Sequence, residues 1–170
     1  MDGVPYFAYG TTQRGFTHHR RLRHLLGDPV ARVRTREAHA VVVPRAPACS
    51  NPGCQYVHRM AVLVAADEPG RVEGDLFLIE HDTLAVLDAL ELAGPYRRVS
   101  LDVTSTDSTH RRAEAYVARD AAPWLALVRD GLADALSAYP PTLAGDEQLK
   151  DCCRRTPGHP PPHDVVEPGR

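Results

Sequence analysis

Apolar positions along the chain fall into short extended runs and a few helical stretches. The strand-like runs are Val4 to Tyr9, Ala38 to Val43, Met60 to Ala65, Val72 to Ile79, Val99 to Val103 and Ala113 to Val117. Within the fourth, Val72, Gly74, Leu76 and Leu78 alternate with Glu73, Asp75 and Phe77, the period of two expected of a half-buried strand. A helix is predicted over Thr83 to Leu92, with Asp82 as its N-cap and Gly94-Pro95 as its stop. A second opens at Pro123 and places Trp124, Val128, Leu132 and Leu136 four residues apart. A third, less regular, lies around His18 to Leu26. Six strands and two or three helices, without strand–helix alternation, predict an α+β domain in which a small sheet, mixed or antiparallel, closes on itself.

Proline and glycine mark the connections. Residues 44 to 54, PRAPACSNPGC, form a loop, and residues 65 to 71, AADEPGR, a turn. From Tyr139 onward the chain is proline-rich and polar, which predicts a domain over residues 1–145 and a Cys-Cys and Pro/His-rich tail over 146–170. A length of 170 residues suits one core. With 43% apolar and 25% charged residues the composition is that of an ordinary globular protein. The formal net charge of −2 gives no global field toward nucleic acid or an anionic membrane, and no apolar run is long enough to span a bilayer. The start, MDGVPYFAYG, lacks the basic and apolar regions of a secretory signal, so the expected location is the cytoplasm.

One carboxylate breaks the helical pattern. At about 100° per residue, Glu91 falls between Leu84 and Leu87 on the apolar stripe of its helix. It also sits in the last turn, where the helix dipole disfavours an anion. Either Glu91 reaches water or pairs with Arg97 or Arg98, or it is a general acid/base whose affinity for a proton is raised by desolvation. Asp88, one turn earlier, reads as a solvated flank and a weaker candidate. The second informative stretch is Tyr9-Gly10-Thr11-Thr12-Gln13-Arg14-Gly15, directly after the first strand. Its glycines and hydroxyls suit either a simple turn or a nest of N–H groups for a carboxylate or oxyanion, and it lacks the spacing of a phosphate loop.

Taken in order, these segments resemble the γ-glutamylcyclotransferase-like family, of the γ-glutamylamine cyclotransferase type. The resemblance rests on FAYGTTQRG at Phe7 to Gly15, VEGDLFLI at Val72 to Ile79, LDALELAGPYRRV at Leu87 to Val99 and AEAYV at Ala113 to Val117. It implies a barrel-like sheet with flanking helices and a pocket where the first loop meets the helix of Glu91. Glu91 takes the place of the catalytic glutamate. Tyr9, Gly10, Thr11 and Thr12 fall where the family binds the α-amino acid end of a γ-glutamyl group, and Tyr96 at the tyrosine lining that pocket.

The implied reaction releases 5-oxoproline and a free amine from a γ-glutamyl amide, with no metal, nucleotide or redox cofactor. The implied partner is that small molecule, free or borne on a carrier protein in a biosynthetic deprotection step. The alternative is a module of the same fold that binds a small acidic molecule without turnover. Two positions depart from the family pattern: Thr12 stands where leucine is usual, and Leu92 where glycine is common.

Cys49, Cys54 and His58 in the long loop, and Cys152, Cys153, His159 and His163 in the tail, leave free thiols, disulfides and a zinc clip all open. His24, His39, His81 and His110 show no ligand spacing and are expected at the surface or in caps. The RRLR run at Arg20 to Arg23 reads as a solvated helix face rather than a nucleic-acid patch.

Overall fold

A computed structural model describes residues 3–45, 61–66 and 70–140. The described elements are β1 (Val4–Ala8), α1 (Thr17–Leu26), β2 (Ala31–Thr35), β3 (His39–Pro44), β4 (Val62–Ala65), β5 (Glu73–Ile79), α2 (His81–Glu91), β6 (Tyr96–Ser105), β7 (His110–Ala118), α3 (Ala122–Arg129) and β8 (Ala133–Leu136). The expected α+β class holds, with three helices among the described residues. The expected boundary at residue 145 and the cysteine questions fall outside them.

Five strands close into a barrel in the order β1-β5-β2-β6-β7. Its pairs are antiparallel except the seam, where β1 and β7 run parallel at Tyr6 and Glu114. A second sheet, β4-β3-β8, packs Val41, Val43 and Leu63 into the cluster that fills the barrel with Phe7, Val33, Leu76 and Val103. Its other face presents Val42, Val62 and Val64 to Trp124, Leu127 and Val128 of α3. Burial on both faces explains why β3 reads as an unbroken valine run instead of alternating.

Two elements differ from the sequence pattern. β2 was not among the expected strands: its sequence ARVRT buries Val33 and Thr35 but presents Arg32 and Arg34 to solvent, leaving too little apolar signal. The predicted long helix from Pro123 stops at Arg129. Gly131 turns the chain in the left-handed region (φ 72°), Leu132 is exposed, and Leu136 belongs to β8, paired with Val41. The spacing of four from Trp124 to Leu136 therefore spans two elements. His39, expected at the surface, is buried, and its Nδ1 lies 3.1 Å from the Glu37 carbonyl.

Helix α2 lies over the outer face of the barrel. Leu84 and Leu87 pack with Tyr6, Ala8, Phe77, Ile79 and Tyr116, and full burial of Leu87 is worth about 1.5–3 kcal/mol. The residue in the N-cap position is Glu80 rather than Asp82, which lies in the first turn, where its charge suits the dipole.

Candidate active site

The first strand sends alternate side chains to two places. Tyr6 and Ala8 face α2, whereas Phe7 and Tyr9 face the barrel cluster. After Tyr9 the chain turns tightly: the Gln13 N–H donates to the Gly10 carbonyl (3.0 Å) and that of Phe16 to the Gln13 carbonyl (3.1 Å). The Thr11 carbonyl accepts from His18 and His19 N–H (3.0 and 3.1 Å), satisfying donors that the first turn of α1 leaves over. The loop is held rigidly from below. Buried Gln13 donates through Nε2 to the Tyr9 carbonyl (2.5 Å) and accepts from Arg32 Nη1 (2.9 Å). Arg32 Nη1 also donates to Asp75 Oδ1 (3.1 Å), whose Oδ2 takes the Arg14 N–H (2.8 Å). The N–H groups of Gly10, Thr11 and Thr12 enter none of these bonds.

Replacing Gln13 by alanine is expected to leave the Tyr9 carbonyl without its donor. The cost, about 1–3 kcal/mol, would be read as a lower denaturant midpoint with an unchanged slope.

The predicted site residues are distributed as follows. Thr12 is buried, and its Oγ1 lies 3.1 Å from Tyr6 Oη. The Thr11 hydroxyl is engaged with His18 Nδ1 (2.8 Å). Tyr9 Oη donates to the Tyr116 carbonyl (2.6 Å) and accepts from Leu63 N–H (3.2 Å). Tyr96 Oη donates to the Ala61 carbonyl (2.9 Å). Gly10 also lies beside Ala61.

Glu91 ends α2 and sits within the electrostatic reach of three of these phenols. Burial, and after it the Glu91 charge, raises Tyr6 and Tyr96 above the usual phenol value. Burial, then Tyr96, then Glu91 does the same to Tyr9. All three phenols stay protonated, and all three hydroxyls are committed to protein partners. Among the described residues the Glu91 carboxyl has no hydrogen-bond or ion-pair partner, and desolvation pushes it up from 4.5 to about 7. The neighbouring Leu90 is 50% exposed, so the apolar residue faces water while the acid is largely covered.

Of the two arginines weighed as partners for Glu91, Arg98 pairs with Asp88 (2.5 Å) and Glu114 (3.2 Å) instead. Asp88 also accepts from Tyr116 Oη (2.9 Å), so it ties α2 to the barrel. Tyr6 was not among the residues singled out by sequence, because within a strand nothing separates it from a core tyrosine. Asp75, also within a strand, carries no separate signal either, and Gln13 stands in the informative loop without a role of its own being legible.

Glu91 acts electrostatically on Tyr9 and Tyr96, which lie at the end of the barrel where β1 finishes and β6 begins. A cleft of about 370 Å³ lies elsewhere, among Val33, Leu76, Leu78, Val103, Ser105 and Arg111. Ser105 and Tyr96 occupy opposite ends of β6, roughly 30 Å apart by strand rise. That cleft also carries Arg32 and Asp107, so its charge is mixed. No described helix is long and apolar enough to cross a membrane, and no group of three or more His, Cys, Asp or Glu among the described residues converges as a metal site would.

Over residues 6–132 the chain matches the family model described as gamma-glutamyl cyclotransferase, AIG2-like. The chain belongs to this family. It is therefore an enzyme of the cyclotransferase kind. No curated protein matches the chain. Among solved structures it is similar to an AIG2-like protein of Mus musculus, with 21% identity, a TM-score of 0.61, and coverage of 82% of this chain and 90% of that one. It also resembles an uncharacterized protein of Homo sapiens, with 17% identity, TM-score 0.53 and coverage of 71% and 69%. A third structure, of a gamma-glutamyl cyclotransferase, gives 14% identity, TM-score 0.51 and coverage of 69% and 68%. At these identities the likeness speaks for the fold, which is the barrel-based α+β fold of this cyclotransferase family.

Proposed function

We propose that this cyclotransferase releases 5-oxoproline and a free amine from a γ-glutamyl amide, with Glu91 as the acid/base. The observation that carries the reading is a largely covered carboxyl, unpartnered among the described residues, with its titration near neutrality, acting on Tyr9 at the start of a loop whose Gly10, Thr11 and Thr12 N–H groups have no acceptor among the described residues. The substrate α-amine attacks its own γ-carbonyl carbon. A C–N bond forms to close the five-membered lactam, and the bond from that carbon to the leaving nitrogen breaks. Glu91 takes the proton from the attacking amine and returns it to the departing one, so the enzyme ends in its starting state. Because attack is intramolecular, the site need only hold the folded conformer.

Tyr9, Gly10, Thr11, Thr12 and Tyr96 would bind the amino acid end of the substrate, with the Gly10–Thr12 amides facing its carboxylate or the developing oxyanion. Their commitments support this: the Tyr6, Tyr9 and Tyr96 hydroxyls bond to protein and fix the walls, and the Gly10–Thr12 amides have no acceptor among the described residues. The buried hydroxyl of Thr12, where the family usually has leucine, suits a specialised amine. A γ-glutamyl-protected biosynthetic intermediate, free or carrier-borne, fits that reading, and the cytoplasm is its proposed place.

The test is incubation with a panel of γ-glutamyl amides, with 5-oxoproline followed by mass spectrometry. Since the base form of Glu91 starts the reaction, kcat/KM is expected to rise about tenfold per pH unit on the acid side and level off above about 7. A profile flat from pH 5 to 8 would remove Glu91 from the mechanism.

A further inference from the structure

The end of α2 is an awkward place for Glu91. The last turn of the helix carries no basic residue of its own, although the dipole and the leftover carbonyls both call for one. The cation comes from another element. Arg119, just after β7, directs Nη2 at the carbonyls of Leu92 (3.0 Å), Gly94 (3.4 Å) and Tyr96 (3.3 Å), which share its two hydrogens. Its own N–H donates to the Pro95 carbonyl (2.7 Å). One residue thus gathers four carbonyls from a stretch that begins beside Glu91 and ends at Tyr96. The Gly94 N–H closes the same turn onto the Glu91 carbonyl (3.0 Å).

We propose that Arg119 is a positioning residue: by clamping the turn from Leu92 to Tyr96, it fixes the Glu91 carboxyl against the tyrosines of the site. Leu92, at the position where the resemblance leads one to expect glycine, ends α2 in a right-handed conformation (φ −74°), so the helix closes without a left-handed glycine. The consequence for catalysis rests on the cyclisation reading above, whereas the consequence for geometry does not.

Position and charge predict opposite effects. Among the described residues, the groups that the Glu91 charge acts on are Tyr6 of β1, Tyr9 just after it and Tyr96 of β6. One turn back on α2 lies Asp88, neutralised by Arg98, which also binds Glu114 of β7. Removing Arg119 as a mere nearby cation would make Glu91 harder to ionise. Removing it as a clamp would let the turn loosen and water reach the carboxyl, making Glu91 easier to ionise.

The experiment is a side-chain carboxyl titration by carbon NMR on the full chain carrying labelled glutamate, with the Glu91→Gln spectrum assigning the signal. In Arg119→Ala the midpoint is expected to fall from about 7 by about one pH unit or more, with Arg119→Lys lying between, and kcat to fall more than KM changes. An unchanged or raised midpoint in Arg119→Ala overturns the proposal. Should that variant not fold, Arg119→Gln is read by the same criterion. A wild-type enzyme that releases no 5-oxoproline defeats the cyclisation reading while leaving the titration result standing. An active enzyme whose midpoint does not move defeats the clamp alone.

Discussion

Exchange of Glu91 for glutamine is expected to abolish 5-oxoproline release and, in the same protein, to stabilise the fold above pH 7. Glutamine keeps the shape of the side chain but cannot carry a proton between two nitrogens, so the loss should reach about 10²–10⁴-fold. The stability effect follows from linkage. In the unfolded chain Glu91 titrates near 4.5, and in the folded protein near 7, so between these values the folded state binds the extra proton. Stability is then at its fullest below 4.5 and is lost as pH rises to about 7, by roughly 3 kcal/mol at most. Glutamine has no charge to desolvate and suffers no such loss. Urea unfolding of both proteins at pH 4.5 and pH 8 checks this: the wild type should weaken relative to the variant as pH rises. Parallel stabilities at the two pH values would mean that the carboxyl is hydrated, and the account of the site would fail with it.

The same carboxylate was the most legible feature of the sequence. A charged residue on an apolar stripe, in a helix's last turn, violates two local preferences at once, and such conflicts collect where structure serves chemistry. What the sequence could not show was the outcome of the competition for Arg98, because Asp88 and Glu91 are both near that arginine along the chain while Glu114 reaches it only across the sheet. The sheet register decides it, by setting Arg98 opposite Tyr116 and Ser100 opposite Glu114. Arg119 is invisible for the same reason: its acceptors are backbone carbonyls, which carry no sequence signal.

The fold shows a similar division. Strands with several valines or leucines are readable, and β6 and β7 merely extend beyond their predicted ends. β2 escapes notice because its outward Arg32 is paired with Asp75 and Glu73 of the neighbouring strand, a stabilisation that depends on knowing the neighbour. β8 is misread because Leu132 and Leu136 continue the spacing of α3, and the left-handed turn at Gly131 is the stronger signal. Closure of the barrel through a parallel seam between β1 and β7 lies beyond any local pattern.

Substitution of Gly74 by alanine is expected to be the most damaging change of a single methyl group to the fold, and to act on the site from a distance. Gly74 lies inside β5, opposite Val33 of β2, where β1 crosses closely. A Cβ there would stand 2.3 Å from the Ala8 carbonyl oxygen and 2.5 Å from Phe7 Cε2. Phe7 is fully buried and cannot swing aside, and the Ala8 oxygen belongs to a strand held on both sides, so β1 itself must move. Overpacking of this kind commonly costs about 1–3 kcal/mol, and a clash with main chain belongs at the upper end or beyond. The total stability of a domain is only about 5–15 kcal/mol, so the melting temperature should drop by several degrees or more. The displacement also propagates. Ala8 leads directly into Tyr9 and the Gly10 turn, and Asp75, next to the new methyl group, anchors Arg14 and Arg32 beneath that turn. Activity should therefore fall at temperatures where the variant is still folded. Gly10→Ala is the control. Among the described residues its added methyl group would meet the Ala61 side chain alone, at 3.9 Å, so it should leave the melting temperature nearly unchanged. Equal melting temperatures for Gly74→Ala and the wild type would show that β1 is free to yield, and with it the loop that this packing is argued to hold.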